Sequence, residues 1–192
     1  FYLASPFNLF MGFVSKEAIP DFILITTILK MSFAGLNFYL LCRFTQHKIA
    51  FSHYAFAVGY ALVSYSFIYL SNYMWIDGVM ILPLMVLGLN LLKESKVCYL
   101  YSISLAYSLI SSWYIGFMTC VFSVFYFMYL FFSDAKSFKE KMPFFLRYVI
   151  YSLIGGFLGS ICWLTAFLHF SGTKATQSFP KFDFGSLSML LT

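Results

Sequence analysis

From Asp21 to Phe170 the sequence is a succession of six apolar stretches, 16 to 27 residues long, separated by short clusters of charge and turn residues. That pattern leaves few folds open. A bilayer core is about 30 Å thick and takes roughly 17–25 apolar residues to cross as a helix. Backbone N–H and C=O groups in hydrocarbon must also find partners within their own segment. The stretches therefore predict an all-α, polytopic transmembrane bundle with spans over 21–42, 50–70, 77–92, 97–112, 114–132 and 144–170. On this reading residues 1–20 end one extracytoplasmic loop and residues 171–192 begin another. The chain opens on Phe1 and stops in the apolar run Met189-Leu190-Leu191-Thr192, which reads as an internal fragment of a longer chain.

Composition removes the soluble alternatives. Apolar residues make up 61% of the chain and charged residues 10%, against roughly 45–50% and 25% in an ordinary soluble domain. A soluble enzyme, a disordered chain and a nucleic-acid binder are excluded, although the pI of about 9.0 taken alone would suggest the last. The net charge of +5 has a topological cause. Counted by alternate loops, one side holds Arg43, Lys48, Lys93, Lys96, Lys136, Lys139, Lys141 and Arg147, and the other only Lys16, Lys174 and Lys181. By the positive-inside rule, the first group is cytoplasmic.

Two of the stretches, 77–92 and 97–112, have 16 residues each and reach only about 24 Å at the helical rise. Lys93, Glu94 and Lys96 anchor their joining loop at the inner headgroups, so the shortfall falls at the outer ends. The turns 72–77 and 111–114 are then expected side by side, below the outer surface, around an outward-facing depression.

Lys30 is the one charge deep within a stretch, about 14 Å from Asp21 and 18 Å from Cys42 along a helix. A lysine stem cannot snorkel that far, so its ammonium is expected to face the protein interior or water. Thr26, Thr27, Ala34 and Asn37 share its helical face. Two readings fit Lys30: a structural cation held by carbonyls or by a carboxylate on another helix, or a binder of a lipid phosphate. Two also fit Asp77, which caps the following helix or offers a carboxylate in the depression to a hydroxyl or a sugar. Tyr73, Trp75, Trp113 and Tyr114 are aromatic surfaces for sugar stacking, or members of an interfacial belt. Gly155 and Gly159 form a Gly-x-x-x-Gly that lets another helix approach closely. Cys42, Cys98, Cys120 and Cys162 have no Cys-x-x-Cys or metal-ligand spacing and read as packing residues, so no metal site and no cofactor is evident. No phosphate-cradling glycine loop, Ser/His/Asp pattern or His-Glu-x-x-His motif occurs, and the residues alone identify no reaction.

The run Tyr73-Met74-Trp75-Ile76-Asp77-Gly78-Val79-Met80-Ile81-Leu82-Pro83-Leu84, then Gly88, then Ser112-Trp113-Tyr114-Ile115-Gly116-Phe117-Met118, resembles the bacterial YfhO-type membrane proteins. The likeness extends back to Ser5-Pro6-Phe7-Asn8, Lys30 and Gly35-Leu36, and forward through Val124-Phe125-Tyr126-Phe127. Ser112 replaces the asparagine usual in the second motif. The resemblance implies a GT-C-type glycosyltransferase of the bacterial cytoplasmic membrane. Such an enzyme moves a sugar at the outer face from a polyprenyl-phosphate carrier to a cell-envelope polymer such as teichoic acid. It implies a catalytic base upstream of Ser5, Lys30 at the leaving phosphate, and Asp77, Trp75 and Tyr114 around the sugar; it leaves the need for a divalent metal open. The implied partners are membrane lipids, the polyprenyl-linked sugar and the polymer acceptor. Rival readings are a transporter or flippase of lipid-linked sugars, which also needs an intramembrane cation, and a structural membrane protein that needs neither Lys30 nor Asp77.

Overall fold

A computed structural model describes residues 5–46, 51–68, 72, 75–94, 99–133 and 137–171. Among the described residues all regular structure is helical. A short α1 (Pro6–Leu9) and two 3₁₀ turns lead into α2 (Ile19–Gln46). Then come α3 (Phe51–Ala61), α4 (Ser64–Ile68), α5 (Ile76–Lys93), α6 (Tyr99–Ser111), α7 (Trp113–Ser133) and α8 (Phe138–Ser171).

Among the described residues, four helical segments are long and apolar enough to cross a bilayer: Lys16–Gln46, Ile76–Lys93, Trp113–Ser133 and Phe138–Ser160. The six expected continuous spans are corrected at one place. The stretch 50–70 is broken at Leu62–Val63 into α3 and α4, where Gly59, β-branched Val63 and Ser64 weaken helix propensity together. Of the stretch 97–112, residues 97–98 lie outside the described residues and Tyr99–Ser111 form α6. The last helix starts earlier than expected, at Phe138, because the Glu140 carboxylate accepts a hydrogen bond from the Ser137 N–H (3.2 Å), half of a capping box. Pro143 falls near its beginning, where a missing N–H is tolerated.

The short α6 is the hub of the bundle, enclosed by α5, α7 and α8. Its contacts depend on glycine. A Cβ at Gly88 of α5 would lie 2.7 Å from the Tyr101 backbone of α6, and one at Gly159 of α8 would lie 2.8 Å from the Leu109 Cβ. Gly155 presses against Ser102 and Leu105, so the helix admitted by the Gly-x-x-x-Gly pair is α6. Such close approach suits a bilayer, where van der Waals contact and interhelical hydrogen bonds must replace a hydrophobic driving force. The hydrogen bonds are present. Tyr101 Oη pairs with Ser152 Oγ at 2.9 Å, the Ser102 hydroxyl donates to the Tyr151 carbonyl at 2.7 Å, and Ser108 and Thr119 share one at 2.7 Å. Around them Met85, Leu89, Leu105, Leu109, Phe127 and Tyr148 form the apolar core.

Two glycine substitutions separate contact from propensity. Gly88→Ala forces α5 off α6 and is expected to cost about 1–3 kcal/mol, the range for overpacking. Gly59→Ala, where an added Cβ meets nothing within 4 Å, is expected to gain up to about 1 kcal/mol of helix propensity. Thermal unfolding of the purified protein in detergent should therefore move in opposite directions for the two.

Candidate functional site

The two charges singled out in the sequence meet. Lys30 Nζ of α2 lies 2.8 Å from Asp77 Oδ2 of α5, and neither side chain has any exposed surface. The second carboxylate oxygen, Oδ1, accepts a hydrogen bond from the Tyr107 hydroxyl of α6, also at 2.8 Å. Three helices are thus joined at one carboxylate. Asp77 also stands in the first turn of α5, at the end of the helix where the backbone N–H groups point outward.

The register of α2 against α5 explains why an aspartate near a helix start lies so deep. Seven residues beyond Lys30, the Asn37 amide donates to the Met80 carbonyl at 2.8 Å, which is three residues beyond Asp77. Both helices therefore run in the same direction through the contact. Eighteen residues of α2 precede Asn37, but only four of α5 precede Met80. For parallel axes, α5 begins roughly 20 Å short of the start of α2. A recess above α5 is the feature that the shortness of this stretch implied.

The N-terminal segment packs at the level of the ion pair, where this recess begins. The Phe7 ring of α1 has its centroid 5.6 Å from Lys30 Nζ and 6.3 Å from the Phe33 ring. Ser5 and Asn8 are buried with it, and the Ser5 hydroxyl lies beside the Tyr107 phenol. Residues expected in an extracytoplasmic loop thus reach the level of Lys30. An outward-open cavity shared by Asp77 and Tyr114 is not what forms. Asp77 is fully enclosed, whereas Tyr114 is 51% exposed.

Of the two readings for each charged residue, Lys30 takes the one with a carboxylate on another helix. Asp77 does not serve as the cap: Trp75 occupies the N-cap position of α5 without a side-chain capping bond, and both Asp77 oxygens accept from side chains. The aromatic residues gather at the same end of the bundle. Trp75 and Tyr114 have ring centroids 6.0 Å apart, so the two turns expected side by side are so. Trp113 stacks on Phe117 at 5.8 Å with an interplanar angle of 9°. Tyr73 lies outside the described residues. Tyr107 was missed by the sequence reading, as one of 15 tyrosines in an aromatic-rich chain. Its position at i+3 from Ser104 and i−1 from Ser108, on a helix rich in buried serines, was the available signal. Among the described residues, no three His, Cys, Asp or Glu side chains gather as a metal site.

The family described as bacterial membrane protein YfhO matches residues 1–191. This chain belongs to it. No curated protein and no solved structure matches. YfhO membership places the chain in a membrane, in agreement with the four candidate spans among the described residues. In this YfhO-family chain Lys30, Asn37 and Asp77 form one enclosed cluster, with Trp75, Trp113 and Tyr114 as a more exposed aromatic rim.

A buried pair behaves asymmetrically under substitution. Removing one partner leaves an uncompensated charge and costs about 3–5 kcal/mol, whereas replacing both by apolar residues is often neutral. Lys30→Met alone is expected to lower the unfolding temperature sharply, and Lys30→Met with Asp77→Leu to restore most of it. A double-mutant cycle read by thermal unfolding checks this; additive losses would show that the pair contributes no coupling.

Proposed function

We propose that this YfhO-family protein is a membrane glycosyltransferase of the GT-C type. In this reading a sugar passes from a polyprenyl-phosphate carrier to a cell-envelope polymer such as teichoic acid at the outer face of the bacterial cytoplasmic membrane. The observation that carries the reading is the aromatic rim of Trp75, Trp113 and Tyr114 directly beside a buried carboxylate at the start of α5. Sugars are bound by ring faces that stack on their C–H surfaces, together with polar groups that fix their orientation.

Within this proposal the groups divide the work. Trp75 and Tyr114 hold the sugar. Asp77, held by Lys30 and Tyr107, sets the position of the first turn of α5, on which Trp75 depends. Lys30 has its charge balanced by Asp77, so a lipid phosphate engages it only after that pair opens and the Phe7 segment moves aside. The general base that deprotonates the acceptor hydroxyl, as it displaces the lipid phosphate, is a carboxylate upstream of Ser5, as the family resemblance implies.

The test uses the full-length protein, reconstituted with polyprenyl-phosphate sugars labelled in the sugar and with purified wall polymer. Label should move to the polymer, and Trp75→Ala or Tyr114→Ala should raise the KM for donor by up to about tenfold, the scale of one lost aromatic contact. Movement of labelled lipid between leaflets without transfer would favour the flippase reading. Neither transfer nor movement would leave a structural role.

A further inference from the structure

A second feature lies at the opposite end of the bundle from the aromatic rim, between the end of α7 and the beginning of α8. There a cleft of about 220 Å³ is lined by five phenylalanines and two methionines, with no polar side chain. It is larger than the ~150 Å³ apolar cavity that is known to stay dry and hold benzene. Phe127 forms its buried floor, while Phe132 and Phe138 at its mouth are 72% and 65% exposed. The volume and wholly apolar lining of the cleft suit a length of hydrocarbon chain. Methionine and phenylalanine give such a slot adaptable, polarisable walls.

Among the described residues, two lysines stand at the mouth. Lys141 Nζ sits 5.3 Å from the centroid of Phe131, one of the lining rings, and Lys139 is exposed on the same first turns of α8. Glu140 between them turns back to the Ser137 N–H, so its carboxylate is engaged at the helix start. Arg147 follows within two turns, its Nε donating to the Pro143 carbonyl. An apolar slot beneath lysines that the positive-inside count assigns to the cytoplasmic side is complementary to a lipid with an acyl chain and an anionic head.

We propose that this cleft is a binding site for an anionic phospholipid of the cytoplasmic leaflet. One acyl chain lies between α7 and α8 against Phe127, and the headgroup phosphate meets Lys139 and Lys141. The site is independent of the transferase reading. It ties a lipid to the α7–α8 connection, and thereby steadies the start of the helix that packs most extensively on α6.

The experiment is native mass spectrometry of the full-length protein in detergent, titrated with dioleoylphosphatidylglycerol or with dioleoylphosphatidylcholine. One phosphatidylglycerol should be retained in clear preference to phosphatidylcholine. Lys139→Gln with Lys141→Gln should lower that preference by about tenfold or more, as expected for two lysines near a headgroup. Lys16→Gln, at the other end of the bundle, should leave it unchanged. Met128→Trp, which fills the cleft from its exposed side, should reduce retention of both lipids. A phosphatidylglycerol carrying a diazirine on its acyl chain should label the peptides that contain Phe131 and Phe138. Equal retention of the two lipids would overturn the proposal. So would loss on Lys16→Gln as large as that of the double variant, labelling confined to other helices, or a dimer that forms without lipid and blocks labelling.

Discussion

A lysine and an aspartate 2.8 Å apart, both without access to water, set the register on which the other helices are stacked. Desolvating either ion costs several kcal/mol, and the attraction between them offsets this only when the geometry is good and the remaining lone pairs are satisfied. Here the Tyr107 hydroxyl and the positive end of α5 supply what the pair alone lacks. The consequence passes from helix to helix. Lys30 and Asn37 fix α5 against α2, Gly88 fixes α6 against α5, and Gly155 and Gly159 fix α8 against α6. Each contact admits little sliding, because each needs a particular small residue or polar pair opposite its partner.

Much of this was legible in the sequence, and the omissions have physical causes. The all-helical membrane class follows from the lengths of apolar stretch and from the small number of charges. Lys30 and Asp77 each stood out because an ion in or beside hydrocarbon needs a reason, and the short stretch opening at Asp77 implied that its helix begins below its neighbour. Their pairing was not legible: 47 residues separate them, and periodicity relates positions within a helix, not between helices. Nor does hydropathy register that the N-terminal segment folds back over the pair, since Phe7 is as apolar in a loop as in a recess. The break at Leu62–Val63 escaped notice because both flanking pieces are apolar. The Ser137-x-x-Glu140 start of α8, by contrast, was written in the chain as an ordinary capping signal, overshadowed by Pro143.

The 13 described residues of α6 show how a membrane protein uses a helix rich in hydroxyls. Eight of its residues are buried, four of them serines. In water such hydroxyls would favour the solvent. Enclosed by α5, α7 and α8, Ser102, Ser108 and Ser111 find carbonyls or another hydroxyl instead, while Ser104 Oγ has no partner among the described residues. Polar side chains that would be costly against lipid thereby become the means by which neighbouring helices are held at close distance.

The separation of Lys30 from Asp77 along the chain also orders the way the protein is made. A lysine near the middle of a span costs about 2.5–3.5 kcal/mol on insertion scales when nothing neutralises it. Synthesis proceeds at about 5–20 residues per second, so α2 is complete for several seconds before the carboxylate that balances it has left the ribosome. During that interval α2 carries an unbalanced cation, a cost that its own apolar residues must offset. The ion pair is thus a link between an early and a late stage of membrane integration as well as a bond in the finished bundle.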